Sequence, residues 1–180
     1  MALGDHRTIL QVVGYQNSGK TTLIEKLIAR SKQLGLKTAT IKHHGHGGKP
    51  AFGTKAKDSE RHFAAGAVLA GVEGDGMLNL SANIRDWSLQ QLIDFYQLFG
   101  FDILFIEGYK TADYPKAVII RNKEDLHLLN ALTQIQCVIS YIKLKQNEFP
   151  HLKIFHIDQD HLYIDYLLKV AVKKLGTNII

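Results

Sequence analysis

Residues 14 to 21 read Gly-Tyr-Gln-Asn-Ser-Gly-Lys-Thr and fit G-x-x-x-x-G-K-[ST] at every fixed position. Few stretches this short constrain a fold so strongly, because the pattern works only between the end of a strand and the start of a helix. Both flanks meet that demand. Residues 7 to 13 (Arg-Thr-Ile-Leu-Gln-Val-Val) form a β-branched, apolar run, as a buried parallel strand would. From Lys20 the spacing turns helical: Leu23, Leu27 and Ile28 share a face, Glu25 and Arg30 lie off it, and Gly35 stands where a helix C-terminus favours a left-handed residue.

The loop's chemistry follows from its residues. Glycines let backbone N–H groups wrap a phosphate, the helix N-terminus adds a partial positive charge, and Lys20 supplies a full one. The Thr21 hydroxyl is a ligand for Mg²⁺. Gly14, Gln16, Asn17, Ser18, Gly19, Lys20, Thr21 and Thr22 are therefore the candidate phosphate-binding residues, with Lys20 acting on the reacting phosphates.

The pattern continues as alternating strands and helices. Leu36 to Ile41 reads as a second strand, and further strands are expected at 102–107 and near 117–121, 135–142 and 153–157. Helices are expected from Asp58 to Ala65, from Ser88 through Leu89, Leu92, Ile93, Tyr96 and Phe99, after Asn122, and from about Gln159 to Leu175. Asp75-Gly76 between apolar runs signals a β-hairpin over about 67–80. The expected fold is α/β: a phosphate-loop NTPase-like, mostly parallel sheet flanked by helices, with an added hairpin, in a single domain over 1–180.

Two further elements fall near the expected phosphate site. Glu107 ends the apolar run Ile103-Leu-Phe-Ile, so its carboxylate lies at the C-terminal sheet edge, where it can close a Mg²⁺ site with Thr21 and serve catalysis beside Lys20. Asn122-Lys123-Glu124-Asp125 matches N-K-x-D, an element with which many GTP-binding proteins read guanine. A polar turn capping a helix has the same pattern, so both readings stand.

Residues 43–57 carry four glycines, three lysines, three histidines and no acid. Glu and Cys partners for a zinc site are absent there, and the better reading is an anion-facing loop led by Lys42. The whole chain agrees: 22 Lys+Arg against 17 Asp+Glu give +5, a mild bias towards anionic ligands. No run approaches the roughly 18 apolar residues of a membrane span, and the first residues lack a secretory pattern, so the cytoplasm is the expected compartment. The single cysteine, Cys137, sits in an apolar run and reads as a buried, inert thiol.

With these residues collected, the chain resembles the molybdopterin-guanine dinucleotide biosynthesis protein B (MobB) family. The resemblance rests on Gly14-Tyr-Gln-Asn-Ser-Gly-Lys-Thr-Thr22, on Thr40-Ile-Lys-His-His-Gly-His46, on Lys57-Asp-Ser-Glu-Arg-His62 with Ala65-Gly66-Ala67, and on Phe105-Ile-Glu-Gly-Tyr-Lys110 followed by Pro115-Lys116. These stretches run in order from 14 to 116; the last third carries no family signature. The resemblance implies a homodimeric GTP-binding protein with slow hydrolysis, assisting attachment of GMP to molybdopterin beside a MobA-like guanylyltransferase. It also implies that Lys20 and Thr21 hold phosphates and Mg²⁺, and that Glu107 closes the metal site. The resemblance does not extend to the N-K-x-D stretch, so Asn122, Lys123 and Asp125 are candidates on spacing alone.

A P-loop kinase or ATP-dependent ligase of small molecules is the alternative, since the same fold suits phosphoryl transfer to an acceptor. A nucleic-acid-binding module ranks last, because aromatic residues are not interleaved with the basic ones; neither nucleic acid nor membrane is expected as a partner.

Overall fold

The structure is a computed structural model and describes residues 8–43, 57–84 and 86–174. Along the chain the elements are β1 (Thr8–Val13), α1 (Lys20–Gln33), β2 (Thr38–Lys42), α2 (Lys57–Ala64), β3 (Leu69–Gly74), β4 (Met77–Ala82), α3 (Leu89–Tyr96) and β5 (Ile103–Glu107). They continue with β6 (Lys116–Ile120), a 3-10 turn (Lys123–His127), α4 (Leu128–Ala131), β7 (Ile135–Ser140), a second 3-10 turn (Gln146–Glu148), β8 (Ile154–His156) and α5 (Asp160–Lys174). Two compact units result, one from residues 1–45 with 96–180 and the other from 46–95.

The first unit is built on a six-stranded sheet in the order β2-β5-β1-β6-β7-β8. All its pairings are parallel. Strands β5 and β6 are buried at every position, as near-continuous apolar runs in the middle of a parallel sheet should be. On one face Leu10, Val12, Phe105, Ile119 and Ile139 pack with Leu23, Ile24 and Leu27 of α1 and with Tyr163, Leu167 and Leu168 of α5. On the other, Val13, Val118, Ile120 and Val138 pack with Leu128 and Leu129 of α4. Cys137 is fully buried in the first core, and burial pushes its thiol pKa up.

Helix α1 ends as Gly35 requires. Gly35 has φ +74°, its N–H donates to Lys32 O, and Leu36 N–H donates to Ser31 O, which together form a Schellman stop. This consumes Leu36, so β2 begins at Thr38, two residues later than the apolar pattern predicts, in register with Ile103. The segment after Asn122 forms a 3-10 turn before a single helical turn, where the pattern predicts one helix.

The second unit contains the predicted hairpin. Strands β3 and β4 pair antiparallel around Asp75 (φ +52°) and Gly76 (φ +73°), two consecutive left-handed residues that suit the ribbon's twist. Ser88 caps α3: its Oγ accepts the Gln91 N–H, while Gln91 Oε1 accepts the Ser88 N–H.

Candidate functional site

The chain leaves β1 at Val13 and turns back into α1 through the 14–19 loop, at the C-terminal edge of the sheet. Asn17 (φ +57°) and Gly19 (φ +87°) are left-handed, which curls the backbone into a concave run of N–H groups. Gly14 is required by close approach: a Cβ there would lie 2.6 Å from Ser18 Oγ and 3.1 Å from Ile119 O. Helix α1 starts after Gly19 with no side-chain cap and no acid in its first turn, so no side-chain anion of its own offsets the positive end of its dipole.

Two side chains of the loop bear on what it holds. Ser18 is 1% exposed, and its hydroxyl has no hydrogen-bond partner. A buried hydroxyl of the loop without a protein partner suits a multivalent acceptor such as a phosphate. Lys20 folds across the loop and donates from Nζ to Tyr15 O at 2.6 Å. Burial lowers its pKa below the usual lysine value, Glu107 opposes that shift, and Lys110 and Lys42 add to it.

Beside the loop, three residues from three elements meet. Thr21 Oγ1 donates to Glu107 Oε2 at 3.0 Å. Lys42 Nζ lies 3.1 Å from Glu107 Oε1 and 3.1 Å from Thr21 Oγ1. Sheet order explains the meeting: Glu107 ends β5 between β1 and β2, opposite Val12 on one side and Lys42 on the other. A hydroxyl and a carboxylate are the hard oxygen donors that Mg²⁺ takes, so this pair fits such an ion.

On the other side of Gly19 lies a cavity of about 170 Å³. Its walls are Leu23, Ile119, Ile139 and Ile157, and its rim includes Thr22, Tyr141 and Tyr163. Apolar cavities of about 150 Å³ accept a benzene ring, so this space suits a planar ring beside the phosphate loop. Sequence reasoning missed it, because its walls come from four separated segments.

The N-K-x-D residues have other duties in the structure. Asn122 Oδ1 accepts the Asp125 N–H at 3.2 Å, and Asp125 Oδ2 accepts the Arg121 N–H at 2.9 Å. Asp125 is 5% exposed, whereas Lys123 is exposed. Asn122 thus caps the 3-10 turn and Asp125 ties Arg121 to it, which is what the polar-turn reading of this stretch expects. Gln16, Asn17 and Thr22 are exposed around the loop. Most of the 43–57 stretch, including His44 and His46, lies outside the described residues.

Other residues that the sequence did not single out shape the site's mouth. Gln11, fully buried on β1, donates its side-chain amide to Gly108 O at 2.6 Å, which pins the turn after Glu107. From that turn Lys110 Nζ sits 3.8 Å from the centre of the Tyr15 ring, a cation–π contact. The Tyr15 hydroxyl in turn lies 3.0 Å from His127 Nε2. Only a buried glutamine within an apolar strand hinted at this arrangement.

Sheet order, loop geometry and the Thr21–Glu107 pair define a phosphate-loop NTPase-like α/β protein. A family model, MobB, described as molybdopterin guanine dinucleotide synthesis protein B, matches residues 9–141. The chain belongs to that family. It is 46% identical over 168 residues to a probable molybdopterin-guanine dinucleotide biosynthesis adapter protein of Bacillus subtilis, covering 93% of this chain and 95% of that one. The crystal structure of Bacillus subtilis MobB superposes with a TM-score of 0.76 at 45% identity, over 90% of this chain and 96% of that one. A MobB homologue from Bacillus stearothermophilus gives 0.74 at 33% identity, over 92% and 98%.

Proposed function

We propose that this chain binds GTP with Mg²⁺, hydrolyses it slowly, and serves as an adapter that assists attachment of GMP to molybdopterin beside a MobA-like guanylyltransferase. The observation that carries the nucleotide reading is the buried, partnerless Ser18 hydroxyl inside an uncapped phosphate loop. The adapter role is supported by the Bacillus subtilis relative, which is named for it.

In this reading the loop N–H groups, Ser18 and Lys20 hold the phosphates, and Thr21 and Glu107 hold the metal ion. The ion supplies charge neutralisation to the phosphate oxygens. The base occupies the cavity between α1 and the ends of β7 and β8, against Ile139 and Ile157. Glu107 is engaged by Thr21 and Lys42, which suits a ligand role more than that of a base activating water, and slow turnover follows. A second copy of the chain is the proposed cover for the exposed leucines of the hairpin.

Calorimetric titration with GTP and ATP in Mg²⁺, on the parent and on Lys20→Ala, tests the reading. GTP binding at least tenfold tighter than ATP, lost in the variant, is expected. Equal affinity, or rapid turnover that depends on a small-molecule acceptor, overturns it in favour of a kinase or ligase.

A further inference from the structure

Lys42 holds the place between the two oxygens that the proposed function gives to a metal ion. Its ammonium is 3.1 Å from both Thr21 Oγ1 and Glu107 Oε1, while those two groups are bonded to each other. An ion bound by the same hydroxyl and carboxylate would need the space and the charge balance that the ammonium now provides. The two cations therefore exclude each other.

We infer that Lys42 is the resident counter-cation of the Thr21–Glu107 pair, and that a divalent ion enters by exchange with it. The inference rests on the reading of that pair as the metal site. Exposure sets the direction of exchange. The Glu107 side chain is 10% exposed and fixed, whereas that of Lys42 is 59% exposed on a flexible four-carbon stem. The carboxylate stays and the ammonium leaves. Lys20, which also feels the Glu107 charge, donates to Tyr15 O and does not hold the carboxylate. Exchange thus keeps a cation on Glu107 in both states and frees the ammonium beside the phosphate loop, where the proposed function places an anionic ligand. It also ties metal uptake to the end of β2.

The test is Mn²⁺ binding to the nucleotide-free full chain, read from loss of the free-ion electron paramagnetic resonance signal, with circular dichroism melting to establish that each variant folds. Weak binding by the parent, at least tenfold tighter binding by Lys42→Gln, and parent-like binding by Lys42→Arg are expected. Lys110→Gln, which removes a nearby charge that does not touch the pair, should change affinity less than threefold. Equal gains in Lys110→Gln and Lys42→Gln, or no gain in Lys42→Gln, overturn the exchange. If Glu107→Gln abolishes Mn²⁺ binding in that case, the metal pair itself stands. Binding indifferent to Glu107→Gln, or no uptake by any variant, overturns both.

Discussion

The side chain of Asn122 accepts the backbone N–H of Asp125 at 3.2 Å, so the two polar ends of the N-K-x-D match are joined within one turn. Asp125 also accepts the Arg121 N–H from a 5% exposed position. Asp125→Ala should therefore destabilise the fold by about 1–2 kcal/mol, in the range for a lost cap or buried hydrogen bond, and leave the ratio of GTP to ATP affinity unchanged. Thermal denaturation beside calorimetry checks both halves. A collapsed nucleotide preference with an unchanged melting temperature would assign the base-reading role to this turn.

At Gly14 a methyl group has nowhere to go. The added Cβ would sit 2.6 Å from Ser18 Oγ and 3.1 Å from a backbone oxygen of β6. Gly14→Ala should cost about 1–3 kcal/mol as overpacking and weaken inorganic phosphate binding more than tenfold. Chemical denaturation and phosphate competition measure the two effects separately.

Lys20 gives a pH signature. Burial lowers its pKa, so on raising the pH the folded protein loses this proton before an ordinary lysine would. Between the lowered value and 10.5 the unfolded chain binds more protons at this position, and stability contributed by the group rises with pH through that window. Phosphate affinity moves the other way, falling as the ammonium is lost. In Lys20→Arg the fall should disappear, which a series of phosphate titrations up to alkaline pH reveals.

Filling the cavity beside Gly19 should separate base from phosphate. Ile157→Trp places an indole into the space lined by Ile119, Ile139 and Tyr141. Nucleotide affinity should drop at least tenfold with inorganic phosphate affinity unchanged. An equal loss of both would place the base elsewhere.

The hairpin predicts an oligomeric state. Leu69, Leu78 and Leu80 share one face of β3–β4 by register and are 53%, 53% and 40% exposed. A two-stranded ribbon is marginally stable alone in water, and exposed apolar side chains on it mark an interaction surface. The parent should run as a dimer in light scattering, and Leu78→Glu with Leu80→Glu as a monomer with the same melting behaviour in its first unit.

Much of this was legible along the chain. The phosphate loop between strand and helix, the stop at Gly35, the Asp75-Gly76 hairpin and the buried strands of the parallel sheet all rest on local rules. Those rules link a residue's neighbours in sequence to its backbone conformation or burial. Legibility failed where one local pattern fits two structures. Leu36 looks like strand but completes the helix stop. Asn122 to Asp125 look the same whether they read a base or cap a turn, because three fixed positions carry no information about what lies opposite.

The sequence by itself determined the class of fold, the loop and its lysine, and the glutamate at a strand end, because periodicity and a contiguous motif encode them. Tertiary structure alone decided that Lys42, Thr21 and Glu107 meet, since that depends on β5 lying between β1 and β2. It also decided that Gln11 pins the turn carrying Lys110, and that Leu23, Ile119, Ile139 and Ile157 line one pocket beside Gly19. Parallel sheet order is set by packing of crossover helices on two faces and not by any local pairing signal.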